Sequence, residues 1–261
     1  MDISPHWWKT LFDEIYLVTD ARSVCDEELT LREIDLLETC LKPGKKDRIL
    51  DLCGGEGRHS LEMARRGYER LVVLDYSGFL VGRGKAKAVG MGHKVHFMRS
   101  DARQAGLKGG KFRYVILMAN SFGYCLSDEE NVGMLHETYR LLQAGGGILL
   151  DLCDPDYAAK HFRPFSLHEA NEDVVVIRER ELSRDKIITR ESVRSKARGL
   201  IREGTYCETI YTEDRIRKLL ARVGFERVKI RRNFSSHKEA GDYGFMTDRM
   251  IAIGNKGKHA R

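Results

Sequence analysis

The chain has 261 residues, 42% hydrophobic and 32% charged, which is ample to bury a large core and excludes disordered, collagen-like and disulfide-scaffold polypeptides. Its 45 lysines and arginines against 39 acidic residues give a net charge of +6, short of the dense basic balance of a dedicated nucleic-acid binder. That charge is unevenly placed, with 23 basic and 27 acidic side chains in residues 1–173 and 17 and 9 in residues 174–232.

The first twenty residues, MDISPHWWKTLFDEIYLVTD, are acidic and amphipathic, unlike the basic-then-apolar pattern of a leader. They set Trp7, Trp8, Phe12 and Tyr16 at helical spacing, so an N-terminal helical segment is expected over 1–40. Strand-length apolar runs then alternate with helical patterns: RILDLC (48–53), LVVLDY (71–76), KVHFMRS (94–100), YVILMAN (114–120) and GGILLDLC (146–153). Strands buried on both faces read as continuous apolar runs. A doubly wound, parallel α/β sheet over 41–153 is therefore expected. HSLEMARRG and ENVGMLHETYRLLQAGG carry the helical spacing between them.

Beyond Asp154 the period changes to two, in EDVVVIRERELS (172–183), KIITRESVRSKARG (186–199) and IREGTYCETIYT (201–212). This predicts an antiparallel β insertion over 154–212 with a basic face. A helix follows over 213–224, opened by Thr212 and closed by Gly224. FERVKIRR (225–232) and DRMIAIGNK (248–256) are too close for a crossover helix and are expected to pair antiparallel, joined by a loop over 233–247. The fold class is thus α/β, a seven-stranded, mostly parallel sheet completed by residues 213–261.

The six cysteines are widely spaced without a C-x-x-C pair, so no zinc site and no disulfide framework is expected. No apolar run reaches the length of a membrane span, and a cytoplasmic location is expected.

The chemistry gathers at strand ends. The first strand runs into Asp51-Leu52-Cys53-Gly54-Gly55-Glu56-Gly57-Arg58-His59-Ser60 and then a helix. Small residues at 53, 54, 55 and 57 let the backbone approach a ligand beside a helix N-terminus. A dinucleotide site wants G-x-G-x-x-G, and Ser60 fails its third glycine. Asp75 ends the second strand, where a carboxylate accepts from two ribose hydroxyls, and Tyr76 and Ser77 continue that edge. At the third strand end, Asp101 is placed to accept from an adenine amino group and Ala102 to offer its backbone N–H. Asn120 and Ser121 follow the fourth strand, with Phe122 and Tyr124 as walls of an acceptor pocket. Arg58 and His59 read as packing or capping residues.

With these residues in view, the sequence resembles the class I S-adenosylmethionine-dependent methyltransferases. The family's Asp/Glu-x-Gly-x-Gly-x-Gly loop is matched by Asp51, Cys53, Gly55 and Gly57, with Cys53 where the first glycine stands. Asp75 matches its ribose acid and Asp101 its adenine acid. ILDLCGGEGRHSLEMARRGY and NSFGYC look like the branch that methylates small molecules. The resemblance implies S-adenosylmethionine as cofactor and S-adenosylhomocysteine as product. It also implies an N-terminal lid in which Tyr16 and Arg22 meet the methionine carboxylate.

The acceptor is then expected to be N or O of a small molecule, with Tyr211 and the basic insertion as further acceptor-facing features. Asn120-Ser121-Phe122 is not the Asn/Asp-Pro-Pro-aromatic pattern of base amino methylation, and nucleic acid is disfavoured as a partner. An RNA or protein acceptor, an NAD-dependent oxidoreductase and a non-enzymatic binding protein stay open as alternatives. The insertion is expected to cover the acceptor, to contact an anionic substrate or to form a dimer surface, and the chain to be a monomer or homodimer. His161, His168 and His237 lie near the insertion without distinguishing partners, and no catalytic residue is assigned.

Overall fold

The computed structural model describes residues 1–235 and 246–258, the side chain of Arg22 excepted. The chain opens with helices α1 (Trp8–Leu11), α2 (Glu14–Thr19), α3 (Ala21–Val24) and α4 (Glu27–Leu41). Asp13 caps α2 by accepting from the Ile15 and Tyr16 amides, and Asp26 caps α4 through the Leu29 amide. Each cap satisfies amides that a helix start leaves open, and contributes about 1 kcal/mol.

The remaining elements, in chain order, are β1 (Arg48–Leu52), α5 (Arg58–Arg65), β2 (Arg70–Asp75), α6 (Gly78–Gly90), β3 (Val95–Arg99), β4 (Phe112–Leu117), α7 (Asp128–Leu141) and β5 (Leu142–Cys153). Then come α8 (Pro155–Lys160), β6 (Phe165–Glu169), β7 (Val174–Ser183), β8 (Lys186–Ser195), β9 (Gly199–Thr209), α9 (Glu213–Val223), β10 (Phe225–Ser235) and β11 (Asp248–Lys256). One sheet has the order β10-β11-β5-β4-β1-β2-β3 and the other β6-β7-β8-β9. In the first, β11 runs antiparallel to both neighbours, so β10 again points with the parallel strands. The expected seven-stranded sheet and its closing strand pair are present.

Two local differences have physical causes. The helical pattern read through Gly146 stops at Leu141, because Leu142 turns extended and three glycines, Gly145 to Gly147, have low helix propensity; β5 starts there. The insertion has four strands instead of three. Its extra edge strand, β6, is only five residues long and turns its apolar Phe165 and Leu167 to solvent.

Ile34, Leu37 and Leu41 of α4 pack on Ile49, Leu71, Ile116 and Leu149 across one face of the large sheet. Each such side chain contributes roughly 1.5–3 kcal/mol by leaving water. The segment before α4 behaves differently, because Ile15 and Val18 of α2 pack on Val174, Val176 and Val193 of the insertion. The N-terminal helices before α4 thus bridge the two sheets.

The uneven charge has a structural outlet. Asp13, Asp20, Asp128 and Asp154 from the acidic part pair with Arg202 (2.7 Å), Arg178 (3.0 Å), Arg215 (2.7 Å) and Arg232 (2.6 Å) from the basic part. Much of the basic excess therefore holds the insertion and the C-terminal elements to the rest of the chain. Among the described residues no helix is long and apolar enough to cross a membrane.

Candidate functional site

Two adjoining cavities lie over the carboxyl ends of the parallel strands. The first is built on the loop between β1 and α5. Gly57 caps α5 with φ at +74°, and a Cβ there would stand 2.8 Å from the Phe97 ring, so only glycine fits. Cys53 is also left-handed, at φ +59°, which explains glycine at this place in the resembled motif. A non-glycine residue held there carries strain on the order of 1 kcal/mol. Burial pushes the Cys53 thiol well above its ordinary range, so it remains an unreactive thiol.

The loop is fastened to the next strand by the very carboxylate expected to hold a ribose. Asp75 Oδ2 accepts from the Gly55 amide and Oδ1 from the Ser77 amide, both at 2.8 Å. Asp51 accepts from Ser60 Oγ at 2.9 Å through Oδ2, while its Oδ1 is buried without a partner among the described residues. Burial raises both carboxyls above their ordinary range. At the third strand end, Arg103 donates to Asp101 at 2.7 Å and lies over the Trp8 ring at 5.1 Å. Burial opposes the ionised form of Asp101, but the Arg103 bonds prevail and hold it below the usual carboxylate range.

This first cavity is lined by Tyr16, Asp51, Cys53, Gly54, Gly55, Asp75, Tyr76, Asp101, Ala102, Ser121 and Tyr124, all expected from the sequence. Trp8 and Phe12 close it from the N-terminal side. Trp8 meets Tyr76 edge-on at 4.8 Å, and Phe12 stacks on Tyr124 at 5.9 Å. Ser77 Oγ donates to the Phe12 carbonyl at 2.6 Å and latches this wall to the sheet edge.

The second cavity shares Phe12, Tyr16, Arg58, Ala119 and Tyr124 with the first and extends under the insertion to Asp20, Arg178, Glu191, Tyr206 and Glu208. Most of its acids are neutralised. Glu33 pairs with Arg58, Arg249 and His59; Glu191 with Arg178 (2.7 Å) and Arg202 (2.8 Å); Asp20 with Arg178. Glu208 differs. Its hydrogen bond among the described residues comes from Asn120 Nδ2 at 3.2 Å, and burial lifts its carboxyl to about 7.

Several expected residues have other places. Phe122 and Tyr211 are each 1% exposed and pack on one another at 5.1 Å inside the main core, so they wall neither cavity. Gly57 and Ser77 act as turn and cap beneath the first cavity and do not line it. Asn120 lines the second cavity instead of the first, because consecutive left-handed residues, Ala119 (φ +53°) and Asn120 (φ +57°), swing it toward Glu208 and the Cys153 amide. The side chain of Arg22 and all of His237 lie outside the described residues. His161 stacks on Tyr157 at 4.2 Å, and His168 contacts the Thr19 carbonyl at 3.3 Å.

Sequence reasoning missed Arg58, Arg178, Tyr206 and Glu208. For the last two a signal existed, since an alternating strand puts Tyr206 and Glu208 on one face.

The fold as a whole is similar to that of an S-adenosylmethionine-dependent methyltransferase from Clostridium acetobutylicum, with a TM-score of 0.72 at 15% identity, covering 94% of this chain and 98% of that one. A family model described as a methyltransferase domain matches residues 49–146. The fold is that of the class I methyltransferases. The match runs from β1 into β5 and includes every residue of the glycine loop as well as Asp75 and Asp101. Among curated relatives, a putative methyltransferase, YqeM, of Bacillus subtilis is 26% identical over 133 residues, 51% of this chain and 53% of its own length. A demethylmenaquinone methyltransferase of Bacteroides fragilis is 31% identical over 120 residues, 44% of this chain and 47% of its own. The chain thus spans about half the length of these relatives.

Proposed function

We propose that the protein transfers the methyl group of S-adenosylmethionine to N or O of a small molecule in the cytoplasm. The observation that carries this reading is the set of Asp51, Asp75 and Asp101 at three successive strand ends around one cavity, with Asp51 Oδ1 buried and unpartnered there. The donors and acceptors fit the cofactor's chemistry. Asp75 would hold the ribose hydroxyls, Asp51 Oδ1 would accept from the ammonium, and the Ala102 amide and Asp101 would meet the adenine edge. Trp8, Phe12 and Tyr16 supply aromatic faces that attract a cation. When bound, the cofactor supplies an activated methyl group.

The chain's own part is positioning. Holding two reactants in line supplies much of the rate in such transfers. Residues 1–40 would hold the cover over both cavities, 41–153 the cofactor, 154–212 the acceptor, while 213–261 complete the sheet. A small acceptor suits a second cavity lying beneath the insertion and behind Tyr16 and Tyr124. The pairing of Arg178, Arg202, Arg215 and Arg232 with acids of this same chain argues against an RNA acceptor drawn to the basic segment. Incubation with methyl-labelled S-adenosylmethionine and separated cell fractions tests the reading. Label is expected in the small-molecule fraction, and label confined to RNA or protein would overturn it.

A further inference from the structure

Glu208 sits near the end of β9, 8% exposed, in the cavity beside the one assigned to the cofactor. The charged and titratable groups around it are Arg178, Arg180, Asp20, Tyr124, Tyr206 and Cys153. Arg178 is committed to Glu191 and Asp20. Asn120 donates to Glu208 Oε1, and Oε2 has no hydrogen-bond or ion-pair partner among the described residues. Arg178 and Arg180 favour its ionised form without a hydrogen bond or ion pair to it among the described residues, and a buried carboxylate with no cation in direct contact is a costly arrangement unless something entering the cavity completes it.

We propose that Glu208 is the proton acceptor for the incoming nucleophile and that it selects a small primary or secondary amine over an alcohol. The proposal rests on the methyl-transfer reading above and names the acceptor class for the same site. An alkylammonium brings a positive charge into direct contact with this carboxylate. Its N–H bond breaks, the electron pair stays on nitrogen as the nucleophile, and the proton forms an O–H bond at Oε2. After the product leaves, Glu208 returns that proton to water.

The magnitudes separate the two acceptor classes. Moving a proton from an alkylammonium of pKa about 10 to a carboxylate near 7 is uphill by about three pK units. An alcohol, with a pKa near that of water at about 16, faces about nine. Asn120 is the positioning residue: its amide fixes Oε1 and thereby aims Oε2. The general-base contribution expected of such a group is about 10²–10⁴ in rate.

The test uses full-length protein carrying carboxyl-¹³C glutamate, saturated with S-adenosylhomocysteine and titrated by NMR. The probes are ethylamine, 2-aminoethanol and glucosamine against ethanol, ethylene glycol and glucose. Glu208 is expected to titrate near pH 7, at least one amine to lower that midpoint by a pH unit or more, and the alcohols to leave it in place. The isosteric Glu208→Gln is expected to bind S-adenosylhomocysteine within twofold of wild type. It should also lose that amine-sensitive resonance and methylate the amine at least 100-fold more slowly, without the wild-type pH dependence. Any of three results overturns the proposal: a midpoint near the ordinary carboxylate value, a midpoint unmoved by every amine or moved equally by alcohols, or wild-type rate and pH profile in Glu208→Gln. Failure of the wild type to bind S-adenosylhomocysteine would count against the cofactor reading separately, because the response of Glu208 to amines is read without methyl transfer.

Discussion

Asn120 and Glu208, 88 residues apart in the chain, are joined by a 3.2 Å hydrogen bond, and the same Asn120 side chain accepts from the Cys153 amide at 3.1 Å. One amide thus ties the ends of β4 and β5 to the insertion. Asn120→Ala removes the donor to Glu208 and leaves the Cys153 amide unpaired. Leaving a buried polar group unsatisfied costs about 1–3 kcal/mol, and the loss is expected in urea unfolding. The Glu208 midpoint should rise further, since the bond that favours its ionised form is gone.

Glu208 also makes stability depend on pH with an unusual sign. Burial raises its folded pKa from 4.5 to about 7, so the unfolded chain releases this proton first. The carboxyl therefore costs nothing below pH 4.5, and its cost grows as pH rises to about 7. Glu208→Gln should match wild type near pH 4 and exceed it above pH 7 by on the order of 3 kcal/mol. Chemical denaturation at both pH values measures the difference.

Arg249 is the centre of a buried ionic cluster, bonded to Asp151 at 2.7 Å and to Glu33, which also receives Arg58. Burial works against the Glu33 carboxylate, yet Arg58 and Arg249 hold it well below its ordinary range. Its stabilising contribution is therefore present above the unfolded pKa and lost as pH falls through the folded one. Arg249→Met strands Asp151 and leaves Glu33 to Arg58 and His59, and is expected to destabilise by about 3–5 kcal/mol at pH 7. The gap to wild type should narrow in acid, as read by thermal melting across pH.

The alternating order of strands and helices was legible because buried parallel strands read as unbroken apolar runs, and the first cavity was legible because its acids stand at successive strand ends. The second cavity was not. Glu208, Tyr206 and Arg178 belong to a separate sheet, and only the packing of Ile15 and Val18 on that sheet brings them over the core. Phe122 and Tyr211 show the converse limit. An aromatic residue following a strand end has the same pattern whether it faces a ligand or, as here, a second ring in the core.

Ser77 does two things at once, capping α6 through the Leu80 amide at 3.1 Å and holding the Phe12 carbonyl at 2.6 Å. Ser77→Ala is expected to cost about 1 kcal/mol through the cap. Loss of the latch should quicken amide exchange in α1 and α2 while leaving β1 and β4 protected. Hydrogen exchange resolved by segment distinguishes that pattern from general loosening.

The most direct measurement is calorimetric titration of S-adenosylhomocysteine into wild type and Asp75→Ala. Asp75 both orders the loop through the Gly55 amide and is assigned the ribose hydroxyls. Two charge-assisted bonds at roughly 1.5–3 kcal/mol each correspond to at least a 100-fold loss of affinity. Saturable one-to-one binding by wild type, weakened by that factor or more in the variant, is predicted. Absence of binding by well-folded wild type, or equal binding by the two proteins, would contradict the assignment of this cavity to the methyl donor.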